Sequence, residues 1–481
     1  WNLQHLQPSR VTDVLGTVTH YTYDTHGNTV EERVEHAHGT LTRRWAFIEP
    51  EHFDVPIKHR AGSFTDARGI ETRWSYDARG NRTGQSRGGV GESWHYAPNG
   101  DLLIATDGAG AQVHTDYDAY GYPSSQRDSL GLRWTRRYDA RGRLLSETDG
   151  RGNETTHAYD ALDRRVLTRF PRVDGELAEQ TIAYDDVART RTETDALRRT
   201  TVVTLDSMGR ERFIQNAEGD TREQTWDANG NLLTATDFRG NVTGYSYDAS
   251  NRRVTQTGPG PRRARFTYDA LGQMLSEEVS HSDGSQLRRS EYRYEHPRNL
   301  RTHVRQQIAS EIWAESLTAY DENGNAIQLT DAENRVTQRD YDDRDRLVEE
   351  RAPEGRLTVY AYDGADRRIS ETLNTEPAQQ RSWTFDDRGR EILYRDATGA
   401  ESRREYDLAD NLIRRIDARL SAWRYAYDAR NRLVEEAGPI TGQVSRYRFD
   451  AVGNQVFAHT PDGRELSHTY DVLNRRETSE D

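Results

Sequence analysis

Hydrophobic and polar positions along this chain alternate with period two in segments of five or six residues, and a turn closes each segment. An aromatic followed by an acid marks one of these turns again and again. It reads Tyr23-Asp24, Tyr76-Asp77, Tyr117-Asp118, Tyr138-Asp139 and Tyr159-Asp160, and continues to Tyr427-Asp428, Phe449-Asp450 and Tyr470-Asp471. Tyr96-Ala97 and Leu205-Asp206 fill two gaps in phase, giving 20 units, and twelve of the nineteen intervals are 21 residues long. The interval from Tyr23 to Tyr76 spans 53 residues and predicts a degenerate unit around Trp45 to Phe53. Ten units carry a second aromatic two residues earlier, as Trp74 and Tyr425 do, which places both rings on one face of a strand. No segment shows a 3.6-residue period, so the pattern predicts an all-β chain.

The turn itself is legible. Four residues after the aromatic, eleven units have Gly (Gly80, Gly142 and Gly230 among them) and seven have Asp or Asn (Asp163, Asn251, Asp345, Asp366, Asp410, Asn431, Asn474). These residues tolerate positive φ, so eighteen units predict a left-handed backbone there, and only Ala188 and Arg298 break the rule. The acid after the aromatic can accept the N–H two residues on, as in an Asx-turn. Together these features describe a hairpin closing with a bulge. A second turn follows about ten residues later, as in Thr65-Asp66-Ala67-Arg68-Gly69, Thr106 to Gly110, Thr148 to Gly152 and Thr236 to Gly240; Asp331 to Asn334 and Asp396 to Gly399 are looser copies.

Composition rules out a thick core. The hydrophobic share is 33%, charged residues make up 30%, and the mean hydropathy is −1.01. No stretch approaches the roughly 20 apolar residues that span a bilayer. Disorder fits poorly with 25 Tyr, 10 Phe, 9 Trp and only 13 Pro. Leucine-rich repeats need more leucines per unit, and a propeller of two units per blade would need ten blades. A long antiparallel sheet remains, about 40 strands at roughly 4.8 Å or about 190 Å wide, which must curl to protect its edges.

There is no cysteine, so disulfides and thiol chemistry are excluded. A net charge of −14 gives nucleic-acid binding no electrostatic support. Lys58 is the only lysine among 66 basic residues. Arginine suits a protein held together at a surface through carboxylates and rings, and GC-rich coding gives the same excess. Arg or Asn stands five places after the motif aromatic in seventeen units, which predicts ladders of Arg beside Asp and Tyr. The chain starts at Trp1 without a targeting segment and stops mid-pattern at Glu480-Asp481, which reads as a piece of something longer.

Tyr-Asp-x-x-Gly-Asn/Arg in units of this length resembles the YD repeats of the Rhs family of bacterial polymorphic toxins. Similar repeats occur in the C components of Tc toxins, in wall-associated proteins and in the teneurins. The resemblance covers practically all of residues 1–481, read as one YD-repeat region incomplete at both ends. It implies a hollow spiral β-shell, or part of one, that encapsulates a C-terminal toxin polypeptide before type VI-like or Tc-like delivery in bacterial competition. The partners implied are that toxin and secretion-spike or chaperone proteins, with no nucleic acid and no membrane segment. The implied location is the bacterial cytoplasm before export, then the outside or the target cell. The family's Rhs-core motifs and self-cleavage aspartates have no match, so no catalytic, cofactor-binding or metal-binding residue carries over, no cofactor is implied and the chain reads as a non-enzyme. The second reading is a surface adhesin or carbohydrate-binding module.

Other motifs have plainer readings. Gly84-Gln85-Ser86-Arg87-Gly88 matches a nucleophile-elbow pattern, but no helix follows it, and it reads as a loop. His36-Ala37-His38 beside Glu35 lacks a third ligand and reads as an exposed hairpin. The abundant acids fall at turn positions and read as backbone caps, not as glycosidase pairs. Asn81, Asn153 and Asn241 head formal glycosylation sequons. Gly258-Pro259-Gly260-Pro261 reads as a stiffened second turn.

Overall fold

The computed structural model describes residues 6–48 and 59–481. Among them 43 strands occur and no helix, and all strand pairings are antiparallel. The chain divides into two compact units, one of Trp1–Gly110 and Gly244–Ser382, the other of Ala111–Thr243 and Trp383–Asp481. Within each stretch, successive strands pair in chain order.

The strands Glu71–Tyr76 and Arg82–Arg87 show the rule for one hairpin. Ser75 pairs with Gly84, then Tyr76 with Arg82, so the register slips by one residue at the motif aromatic. That slip is the bulge. The same break falls at Tyr117, Tyr159, Tyr247, Tyr341, Tyr427 and Phe449. It also falls at Phe47, where the strand Gly39–Phe47 meets Ala61–Thr65. Phe47 is therefore the aromatic of the degenerate unit, whose turn lies outside the described residues.

All eighteen Gly, Asp and Asn positions have positive φ, from 59° at Asn251 to 107° at Gly453. The two exceptions shift by one residue: Arg189 (φ 52°) and Asn299 (φ 56°) take the left-handed place. In the Tyr184 unit pairing runs without a bulge to Asp185 opposite Thr190, so the loop starts one residue later. The second turns behave likewise at Gly69, Gly110, Gly152, Gly240, Asn334 and Gly399. Gly258 to Pro261 links the strands Arg253–Thr257 and Arg262–Tyr268, as a second turn should.

Among the described residues no thick core forms. The buried hydrophobic residues are Leu41, Ala178, Val203, Ile214, Phe266 and Ala458, and the buried polar ones outnumber them. Backbone ladders and side-chain networks must replace the missing apolar burial. Among the described residues no helix is long and apolar enough to cross a membrane.

Candidate functional site

The aromatic–acid turn is a closed hydrogen-bonding device. Asp77 N–H donates to the Asn81 carbonyl at 3.0 Å, and Gly80 N–H donates to the Asp77 carbonyl at 2.9 Å. One Asp77 carboxylate oxygen accepts the N–H groups of Arg79 and Asn81, and the other accepts the Asn81 side-chain amide at 2.9 Å. Burial works to raise the Asp77 pKa, but the Asn81 amide and the backbone donors outweigh it and hold the carboxyl below its usual range. Asp227 is held low chiefly by the Asn231 amide and Asp206 chiefly by the Arg210 N–H.

The motif aromatic ties units together. Tyr76 Oη donates to the Ala61 carbonyl at 2.9 Å, fifteen residues back. Tyr159, Tyr341, Tyr362, Tyr406, Tyr427 and Tyr470 repeat that bond, and Trp226 makes it through Nε1. Arginine after the left-handed residue completes the lock. Arg346 donates to its own Asp342 carboxylate at 2.8 Å and to the Asp363 carbonyl and Asp366 carboxylate at 2.9 Å. Its guanidinium also lies over the Tyr362 ring at 4.9 Å. The predicted Arg, Asp and Tyr ladder is this chain of contacts, repeated in full at Arg143 and Arg390, and without the second carboxylate at Arg252, over Tyr268, and Arg432, over Phe449.

The choice between Gly and Asp or Asn at the left-handed position follows from what accepts hydrogen bonds. Asp163, Asp366 and Asp410 each accept from an arginine of the preceding unit, and Asn431 accepts from Asn411.

In each unit of the fold, second turns of the first stretch meet aromatic–acid turns of the second stretch. In one, Arg68 donates to the Tyr341 carbonyl at 3.1 Å, the Asp342 carbonyl at 3.0 Å and the Asp345 carboxylate at 2.9 Å. Arg87 bridges the Asp66 and Asp345 carboxylates at 2.7 Å each, and Asn323 donates to both. In the other, Arg151 donates to the Tyr427 carbonyl at 2.9 Å, and to the Asp428 carbonyl and Asn431 side chain at 3.0 Å. Arg199 repeats the contact on Asp471 and Asn474. Two glycines let the backbones touch: a Cβ at Gly150 would collide with the Leu408 carbonyl, and one at Gly108 with the Gly364 carbonyl.

The sequence candidates fall into this scheme. Gly84 to Arg87 is not a loop: it lies on the strand Arg82–Arg87, because the unit's ladder runs through it. Ser86 is exposed opposite Gly91 and Arg73, and Arg87 serves the seam. His36 closes the strand Thr29–His36 and accepts the His38 N–H at 3.2 Å, with ring centroids 5.2 Å apart. Burial, then His38, lowers its pKa. Among the described residues no three His, Cys, Asp or Glu side chains converge as a metal site. The amides of Asn81, Asn153 and Asn241 each donate to the turn aspartate at 2.9–3.0 Å, so all three sequon side chains are engaged in turns. The seam was not read from the sequence. Its local signal was the Arg of the second turns Asp66-Ala67-Arg68-Gly69 and Asp149-Gly150-Arg151-Gly152.

The family model for RHS Repeat matches residues 138–171, 226–263, 320–357, 341–378 and 427–465. The crystal structures of TcdB2-TccC3-Cdc42 and of TcdB2-TccC3 each superpose on 98% of this chain with a TM-score of 0.64, at 12% and 13% identity. The chain spans about a third of their length (35% and 33%). No curated protein matches the sequence.

Proposed function

We propose that this chain, an array of RHS repeats sharing the fold of the TcdB2-TccC3 structures, is the wall of a protective shell and has no chemistry of its own. In this reading residues 1–481 are one repeat region of a longer protein, and the wall encloses a C-terminal toxin polypeptide until delivery. One observation carries the reading: the turn carboxylates, the motif tyrosines and the turn arginines other than Arg430 are spent on neighbouring turns and strands of the same sheet. A wall whose donors and acceptors are already paired excludes protease without gripping a particular guest sequence. Delivery through a secretion spike, a chaperone or a Tc-like assembly belongs to the same reading.

Limited proteolysis of the full-length protein is the test. The C-terminal polypeptide should resist protease while the shell is intact and become sensitive when the shell is denatured. Cleavage as fast as that of the free polypeptide overturns encapsulation. Micromolar binding of glycan or cell surface by residues 1–481 alone would favour the adhesin instead.

A further inference from the structure

The turn position three residues after the motif aromatic holds arginine in several units, and each of these arginines but one follows a common rule within the second stretch of a unit. Arg344 donates to the Gly364 carbonyl and to the Asp366 carboxylate, both at 2.9 Å. Arg388 donates to the Leu408 carbonyl at 2.8 Å, the Asp410 carboxylate at 3.2 Å and the Asp128 carboxylate at 2.7 Å. Arg430 stands in the same slot and donates to the corresponding carbonyl, that of Ala451, at 3.2 Å. The carboxylates are missing. The next unit's left-handed residue is Gly453 where Arg344 and Arg388 find Asp366 and Asp410. The seam offers the Pro171 carbonyl, at 2.9 Å, where Arg388 finds Asp128.

Nearby acids cannot substitute. Asp428 is held by the Arg432 guanidinium at 2.7 Å and by the Arg430 and Arg432 N–H groups. Asp195 is held by Arg199 Nε at 2.9 Å and by the Leu197 and Arg199 N–H groups. Among the described residues Arg430 has no ion-pair partner, and burial, then Arg432, lowers its pKa. Where the absent aspartate would stand there is a half-open cavity of about 410 Å³, walled by Phe170, Ala196, Val452 and Gly453 beside Arg430.

We propose that this cavity is a carboxylate-binding site, with Arg430 as the counter-ion and the apolar walls holding a small aliphatic body. Asp195 also lines the cavity, and its negative charge disfavours a dianion such as phosphate. The site does not depend on the encapsulation reading. A carboxylate of this kind comes either from a polypeptide C-terminus or from a free short-chain acid.

Titration calorimetry on the 481-residue chain at low salt tests the assignment with N-acetyl-leucine, isovalerate, N-acetyl-leucinamide and inorganic phosphate. N-acetyl-leucine should bind one to one, with the neutral amide at least about tenfold weaker. N-acetyl-leucine binding better than isovalerate assigns the polypeptide end, and the reverse assigns the free acid. Arg430→Gln should weaken N-acetyl-leucine about tenfold or more, with the far-UV spectrum kept. Gly453→Asp is the sharper variant, because it supplies the counter-ion from within. No atom lies within 4 Å of a Cβ there, and Asp410 holds the equivalent place at φ 67°. It should abolish binding while the fold is retained. No saturable binding by the wild type, equal binding of the amide, tighter binding of phosphate, or undiminished binding by Gly453→Asp would each overturn the proposal.

Discussion

Arg388 and Asp128 form an ion pair at 2.7 Å across 260 residues of sequence, with side chains 2% and 1% exposed. No other ion pair among the described residues is so fully removed from water. Arg388 and Asp128 join a turn of the second stretch to a strand end of the first. Burial works to raise Asp128, but Arg388 outweighs it and holds the carboxyl below its usual range.

Removing one partner leaves the other charged and buried. Arg388→Met should destabilise its unit by about 3–5 kcal/mol in guanidinium unfolding. Adding Asp128→Leu should recover much of that loss, because both charges are then gone. A single variant as stable as the wild type would mean that water reaches the pair.

Two glycines two residues apart separate backbone strain from seam contact. Gly152 has φ 89° and open space around a Cβ, so Gly152→Ala meets strain alone, about 1 kcal/mol. Gly150→Ala drives a methyl into the Leu408 and Leu132 carbonyls and must part the two stretches. It should cost more, and it should raise hydrogen exchange around Leu408. Equal effects of the two substitutions would remove the seam as a structural contact.

Tyr362→Phe deletes the bond from Oη to the Leu347 carbonyl at 2.8 Å and keeps the ring under Arg346. The expected loss is about 0.5–1.5 kcal/mol. Phe449, under Arg432, shows that the ring alone is compatible with the turn. Tyr120→Phe, at a turn tip 72% exposed, should be silent in the same unfolding measurement.

Acid should loosen the seam. Asp345 is pushed up by burial, but Asn323, Asn325, Arg87 and Arg68 outweigh that and lower its pKa. Asp342 and Asp149 are lowered in the same way, against burial, by Arg346 and Asn153. A carboxyl with a depressed folded-state pKa stabilises the fold above its unfolded value, about 4, and that stability is lost as pH falls through the folded value. Midpoints of thermal unfolding should therefore hold between pH 7 and 5 and fall below about pH 4. Asp345→Asn should flatten the fall.

Backbone conformation is a local property, and it was legible residue by residue. Gly, Asp or Asn four places after the motif residue decided eighteen left-handed turns, because those residues accept positive φ more readily than others. The period of two and the turn spacing likewise determined an all-β chain of short antiparallel hairpins. The ladders of Arg beside Asp and Tyr were legible as a pattern, since strands 21 residues apart in sequence are near neighbours. What lay beyond the sequence is everything that depends on distant stretches meeting. Arg68 sits 273 residues from Tyr341, and nothing in Thr65 to Gly69 names that partner. The bare Gly150, the buried Asp128 and the unpaired Arg430 are explained only once the second stretch lies against the first. A turn chooses its own φ; its neighbour across the seam is chosen by tertiary structure, where one arginine finds a carboxylate and the next finds a carbonyl.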